Sequence, residues 1–81
     1  MKHLSIKIWG RVQGVGFRYA AQQEAQKLGV TCFARNEQDG SVFIEVEGDK
    51  EKLEKFLAWC GKGPWLAKVE RAESKWSDKI D

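Results

Sequence analysis

The chain has 81 residues, of which 42% are hydrophobic and 32% are charged, and its net charge is +2. This length predicts a single domain over residues 1–81, because independent cores rarely form below about 40 residues. The composition is typical of a soluble globular protein, and the apolar runs are too short to cross a membrane. The small net charge does not support nucleic-acid binding. We therefore expect one domain with neither membrane nor nucleic-acid partners.

Charge is distributed unevenly along the chain. Residues 1–23 carry four basic side chains and no acidic one: Lys2, Lys7, Arg11 and Arg18. Such an excess raises the local positive potential and attracts a small anion. The N-terminal stretch alternates in polarity instead of forming the apolar block of a secretory signal. We therefore expect a cytoplasmic protein in which Cys32 and Cys60 stay reduced and serve as small core residues.

Hydrophobic periodicity predicts the first elements. Alternation over residues 4–9 predicts a strand, which leads into a loop punctuated by Gly10, Gly14 and Gly16. Residues Phe17, Ala21, Ala25 and Leu28 share one face of a predicted helix that stops at Gly29. Residues 30–35 and 42–47 alternate as two further strands, joined by the hairpin signal Asp39-Gly40.

A second helix and a fourth strand complete the pattern. Asp49 is the expected N-cap, and Leu53, Phe56, Leu57 and Cys60 form the apolar face. Gly61, Gly63 and Pro64 are expected to end this helix, and a weaker alternation predicts a strand from Ala67 to about Trp76, followed by a polar tail. The order βαββαβ predicts an α+β, ferredoxin-like fold. In this fold both helices cover one face of a four-stranded antiparallel sheet.

The segment Gly10–Arg18 lies between a predicted strand and a helix N-terminus. Its glycines permit positive φ, so that successive backbone N–H groups converge on an oxyanion beside the positive end of the helix. Arg18 lies in the first turn, where its planar guanidinium is suited to two phosphate oxygens. A glycine-rich turn beside a solvated arginine is the alternative, and spacing alone does not decide between them. Tyr19 rules out a dinucleotide fingerprint, and the absence of Gly-Lys-Ser/Thr rules out a nucleotide P-loop.

This segment resembles the signature Gly-x-Val-Gln-Gly-Val-Gly-Phe-Arg of the acylphosphatase family. The resemblance extends along nearly the whole chain, through residues 28–31, Arg35-Asn36 and Gly63-Pro64. It implies that the loop and Arg18 bind phosphate, with Arg18 as the essential cation. It also implies that Asn36, at the end of the second strand, orients the attacking water. The implied phosphate-binding residues are Gln13, Gly14, Val15, Gly16, Phe17 and Arg18.

These residue types favour acyl phosphates as substrates. Asn36 cannot act as a base at neutral pH, so the leaving group must depart without protonation, as a carboxylate does and an alkoxide does not. We expect hydrolysis without a metal or cofactor, because His3 is the only histidine and no set of residues has metal-ligand spacing. We also expect a monomer and competition by the product, inorganic phosphate.

Other functions stay open at this point. Asparagine is common at hairpin turns, so Asn36 has a structural alternative, and the chain could be a regulatory module that binds an anion without turnover. An RNA-recognition domain shares the topology, but residues 40–45 lack its aromatic signature. Two positions depart from the family pattern: Cys32 stands where glycine is common, and the usual final Phe-x-Ile strand has no counterpart before the chain ends at Ile80-Asp81.

Overall fold

The computed structural model describes residues 1–78. Its elements are β1 Lys2–Arg11, α1 Phe17–Leu28, β2 Thr31–Asn36, β3 Val42–Gly48, α2 Lys50–Lys62 and β4 Lys68–Asp78. The four strands form one sheet in the order β2-β3-β1-β4, and each neighbouring pair is antiparallel. This arrangement confirms the predicted ferredoxin-like fold.

The two faces of the sheet differ as the alternation predicts. The inward side chains of the central strands are fully buried: Leu4, Ile6, Ile8, Val42, Ile44 and Val46. They form one apolar cluster with Phe17, Ala21 and Ala25 of α1 and with Leu53, Phe56 and Cys60 of α2. The intervening side chains of β1 and β3 stay partly exposed. Both helices therefore cover one face, because successive side chains of a strand point to opposite sides.

Strand β4 is longer than predicted. It lies at the edge of the sheet, and its residues are exposed apart from the partly buried Val69. Its pairing with β1 continues through Trp76 to Asp78, so Ser77 and Asp78 belong to a strand and not to a tail. Backbone pairing does not require apolar side chains, and a polar edge strand disfavours pairing with other chains. The rest of the predicted tail, where the family's final strand would lie, is outside the described residues.

Helix α2 begins and ends close to where the sequence predicts. Asp49 is the N-cap residue, although its side chain makes no capping hydrogen bond. The helix ends within the predicted Gly61–Pro64 stretch, at Lys62, with Gly63 as its C-cap residue, and the N–H of Gly63 donates to the carbonyl of Trp59 at 2.8 Å. Gly61, the first of the three predicted breakers, lies inside the helix. An isolated glycine weakens a helix without ending it. Within residues 1–78, no helix is long and apolar enough to span a membrane.

Strand β1 continues through Gly10 to Arg11, where the sequence predicted a loop. The register with β4 shifts between Trp9 and Gly10, which leaves Glu70 as an extra residue in a β-bulge. Gly10 has a φ of 126°, and a Cβ there would lie 2.2 Å from the carbonyl oxygen of Lys68. This close approach requires glycine at the bulge, one residue before the end of β1.

Replacement of Gly10 by alanine should therefore destabilise the fold more than the same change at Gly40. Gly40 also has a positive φ, 91°, but an added Cβ would meet nothing within 4 Å. We expect Gly40→Ala to cost about 1 kcal/mol from backbone strain alone, and Gly10→Ala to cost more than about 2 kcal/mol. Urea denaturation measures both, and equal losses would contradict the steric argument.

Candidate active site

Sheet topology brings the two predicted site segments to one edge. Strands β1 and β2 each run antiparallel to β3, so they are parallel to each other and their carboxyl ends lie on the same side. Ile8 pairs with Val42, which pairs with Asn36 on its other side. Asn36 therefore lies opposite Ile8 across β3, and the backbones of these two residues are about 10 Å apart, which is two strand spacings. The loop between β1 and α1, residues 12–16, begins four residues beyond Ile8, and we call it the glycine loop.

The glycine loop leads directly into the N-terminus of α1. Gly14 and Gly16 have φ values of 75° and 77°, in the left-handed region that other residues rarely adopt. Gly16 is the N-cap residue, and the first helical bond runs from the N–H of Ala20 to its carbonyl at 2.9 Å. The N–H groups of residues 17–19 thus have no partner within the helix, and the first turn contains no acidic residue. This end of α1 is suited to an anion.

A pocket of about 170 Å³ lies at this edge. Its lining combines loop, helix and strand residues: Val12, Gly14, Gly16, Phe17, Arg18, Tyr19 and Asn36. Arg18 and Asn36 are exposed, and within residues 1–78 their side chains form no hydrogen bond or ion pair. Both groups are therefore available to a ligand. A larger pocket of about 460 Å³, at the amino end of β1, contains none of the predicted site residues.

Two of the predicted phosphate-binding residues anchor the loop through their side chains. Phe17 is 1% exposed, and its ring meets that of Trp59 edge-on at 5.5 Å between centroids. Val15 is partly buried against the same core and does not line the pocket. Only the backbone groups of Phe17 and Val15 therefore remain for a phosphate. Their apolar side chains hold the loop against the domain.

Gln13 also lies outside the pocket lining. Its side-chain Nε2 donates hydrogen bonds to the backbone carbonyls of Glu37 at 2.8 Å and Ser41 at 2.9 Å. Both acceptors belong to the loop between β2 and β3. The Gln13 side chain is thus used within the protein, and its backbone N–H is the group that remains for the predicted phosphate contact.

The positive charge of the N-terminal segment concentrates at the glycine loop. Lys2 and Lys7 each pair with a carboxylate, at 2.6 and 3.3 Å. Among the described residues, Arg11 and Arg18 have no such partner. Arg11 ends β1 and Arg18 lies in the first turn of α1, so the two uncompensated cations flank the loop.

Sequence reasoning assigned no role to Tyr19, which lines the pocket beside Arg18. The side chain is 71% exposed, in the first turn of α1. Helical side chains lean toward the amino end of their helix, which here carries the pocket. The position directly after Arg18 is the signal from which this contact was predictable.

The cysteines and the histidine lie away from the pocket lining. Cys60 is fully buried, as predicted, whereas Cys32 is only partly buried. Burial raises the pKa of the Cys32 thiol to about 11 and raises the pKa of Cys60 as well, so both are neutral thiols at pH 7. His3 faces Glu45 at 3.6 Å and Glu47 at 3.2 Å on the open face of the sheet. In residues 1–78, no group of three His, Cys, Asp or Glu side chains is arranged to hold a metal ion.

Known proteins share both the sequence and the fold. The chain matches the Acylphosphatase family over residues 4–81. It is 49% identical to an acylphosphatase of Thermococcus kodakarensis, over 90% of this chain and 80% of that protein. An acylphosphatase of Salinibacter ruber is 46% identical over 99% and 84% of the two chains. The crystal structure of acylphosphatase from Bacillus subtilis superposes with a TM-score of 0.95 and 36% identity, covering 100% of this chain and 90% of that one. With the signature loop at a helix N-terminus and similarity along nearly its whole length, this chain belongs to the acylphosphatase family.

Proposed function

We propose that the protein hydrolyses the carboxyl-phosphate bond of small acyl phosphates to a carboxylate and inorganic phosphate. The observation that carries this proposal is that Arg18 and Asn36, from different elements, line one pocket with Gly14 and Gly16. The names of the relatives support it, since they are acylphosphatases similar over most of both chains. The enzyme acts as a single-domain monomer in the cytoplasm, where its free thiols are stable.

Binding of the phosphoryl group uses backbone and side-chain donors together. The N–H groups of the glycine loop and of residues 17–19 converge on the phosphoryl oxygens at the positive end of α1. The Arg18 guanidinium donates two parallel hydrogen bonds to the same group and supplies a full charge. Phosphoryl transfer depends mainly on positioning and on charge stabilisation at the equatorial oxygens, which these donors provide.

Asn36 directs the attacking water. Its side-chain oxygen accepts a hydrogen bond from the water and so aims the water oxygen at phosphorus. A new P–O bond forms as the bond to the acyl oxygen breaks, and the carboxylate leaves with the electron pair. The water protons end on the phosphate product and in solvent. Apart from the exposed phenol of Tyr19, the pocket lining contains no side chain of a type that commonly acts as a general acid. A carboxylate, which departs without protonation, is therefore the leaving group that this lining suits best.

A non-catalytic anion-binding module is the competing function. The glycine loop, the helix N-terminus and Arg18 would suffice for such a module. Asn36 belongs to a separate element, yet it lines the same pocket, where its side-chain oxygen can accept a hydrogen bond from an attacking water, a group that an anion-binding module does not need. Its position therefore favours turnover over binding alone.

Replacements of the two proposed catalytic residues should have different effects. Arg18→Gln removes a charge and the bidentate donor, so kcat/KM should fall by about 10²-fold or more and phosphate affinity should fall with it. Arg18→Lys should not restore activity, because an ammonium lacks the planar fork. Asn36→Ala should lower kcat by about 10²-fold while competition by inorganic phosphate stays nearly unchanged.

Steady-state kinetics with acetyl phosphate distinguish these effects. Gln38→Ala, an exposed change two residues beyond Asn36, is the matched control and should retain full activity. Melting curves must show that each variant is folded. A folded Asn36→Ala protein with wild-type kcat would favour the binding module.

Hydrolysis should persist in excess chelator. No His, Cys, Asp or Glu side chain lines the pocket, and hard divalent cations are held in proteins mainly by carboxylate and carbonyl oxygens. Phosphate release from acetyl phosphate should therefore be equal with and without EDTA. Activity that chelation abolishes and added Mg²⁺ restores would contradict this mechanism.

Inorganic phosphate should stabilise the folded protein and compete with substrate. A ligand that binds only the native state at 100 times its dissociation constant adds about 2.7 kcal/mol to the free energy of unfolding. Thermal unfolding in phosphate, compared with chloride at equal ionic strength, measures this gain. The stabilisation by phosphate should be smaller in the Arg18→Gln variant. An equal stabilisation of that variant and of the wild-type protein would show that Arg18 does not bind phosphate.

A further inference from the structure

We propose that the side chain of Gln13 is a positioning group that holds Asn36 in place relative to the glycine loop. The inference rests on the proposed function, because it assigns to Gln13 a part in directing water and not in holding phosphate. The side-chain amide of Gln13 connects the glycine loop to the loop that follows Asn36, and its contacts explain how.

Both hydrogen bonds of Gln13 end next to Asn36. The Nε2 group has two protons, and it donates to the carbonyls of Glu37 at 2.8 Å and Ser41 at 2.9 Å. Glu37 directly follows Asn36, and Ser41 directly precedes Val42, the residue that pairs with Asn36 across the hairpin. The amide therefore forms hydrogen bonds with both ends of the β2–β3 loop, immediately beyond the Asn36–Val42 pair.

The β2–β3 loop does not need Gln13 for its own conformation. The N–H of Glu37 donates to the carbonyl of Ser41 at 2.8 Å, and the N–H of Gly40 donates to the carbonyl of Glu37 at 3.2 Å. Asp39 Oδ1 accepts from the backbone and the hydroxyl of Ser41, at 2.9 and 2.5 Å, and these bonds hold the pKa of Asp39 well below its usual value. Both carbonyl acceptors thus keep a partner without Gln13. What the amide adds is the connection to the glycine loop.

This connection is needed because β1 and β2 are not neighbours. Strand β3 lies between them, so Asn36 and the glycine loop share no backbone pairing. The ion pair of Lys7 with Asp39, at 3.3 Å, also joins β1 to the β2–β3 loop, but both side chains are solvent-accessible. Exposed ion pairs are screened and weak. The partly buried Gln13 bonds therefore set the distance between the bound phosphoryl group and the water-directing amide, where an error of about 1 Å costs on the order of 10²-fold in rate.

The test removes the Gln13 hydrogen-bond donor and measures catalysis and phosphate binding separately. In Gln13→Ala and in Gln13→Met, which keeps the length without a donor, kcat for acetyl phosphate should fall by about tenfold or more. The inhibition constant of inorganic phosphate should stay within about twofold, because Arg18 and the loop N–H groups are intact. In an Asn36→Ala background, the same Gln13 changes should have almost no further effect on kcat, since residues that act as a unit are not additive.

Gln22→Ala is the matched control. Gln22 Nε2 donates to the carbonyl of Cys32 at 3.3 Å and so joins α1 to β2, but away from the pocket. This variant should keep wild-type kcat. Should Gln13→Ala fail to fold, Gln13→Met provides the same comparison.

Three results would overturn the inference. The first is wild-type kcat in a folded Gln13 variant, and the second is a loss of phosphate affinity as large as the loss of kcat. The third is a Gln13 change that lowers kcat as much in the Asn36→Ala background as in the wild-type protein. The second result would mean that the Gln13 side chain contributes to phosphate binding. A wild-type protein without any acyl phosphate hydrolysis would overturn the proposed function and this inference together. An active wild-type enzyme with unaffected Gln13 variants would overturn the inference alone.

Discussion

The burial of Phe17 is the contact on which the rest of the site depends. This residue directly follows the glycine loop and begins α1, and its ring packs against Trp59 of α2 in the core. The fit is close, since a Cβ on Gly63 would lie 2.6 Å from the Phe17 ring. Because the ring is held inside, the N-terminus of α1 is fixed at the end of β1 and Arg18 is left facing solvent. An apolar contact thus orients a polar binding site.

The second half of the site depends on the sheet. Asn36 follows Arg18 in the chain by eighteen residues, and most of α1 and of β2 lies between them. It reaches the same pocket because β1 and β2 run parallel on either side of β3 and therefore end at the same edge. The bulge at Gly10 lies near this edge, one residue before the end of β1. Backbone register places the two side chains, and the Gln13 amide links the segments that carry them.

Electrostatics and backbone geometry act together at the pocket. The lysines of β1 are paired with carboxylates, whereas Arg11 and Arg18 at the glycine loop are not, among the residues described. The first turn of α1 has no acidic residue to oppose an anion. Unpaired N–H groups at a helix end and an unpaired guanidinium favour the same ligand, and their effects are strongest where water is partly excluded. The site is therefore suited to a dianionic phosphate group.

Most of the fold was predictable from the sequence, because side-chain periodicity over five to twelve residues determines which face of a strand or helix is buried. The inward residues of β1 and β3 and the apolar faces of both helices lie where the pattern placed them. The glycine loop was predictable as well, since positive φ at Gly14 and Gly16 is a local property of the backbone. The differences at Gly10 and at the end of β4 have a common cause: pairing between β1 and β4 extended each strand past its local signal.

Tertiary structure alone decided which residues meet. The motif indicated Gln13 as a phosphate contact, but its side chain bonds to residues 24 and 28 positions away. Tyr19 and Asn36 likewise share a pocket only because α1 begins at the edge of the sheet where β2 ends. Local sequence determines dihedral angles and buried faces within a segment, whereas the distance between two segments is set by strand order, register and core packing. Those depend on every element at once, so no single motif contains them.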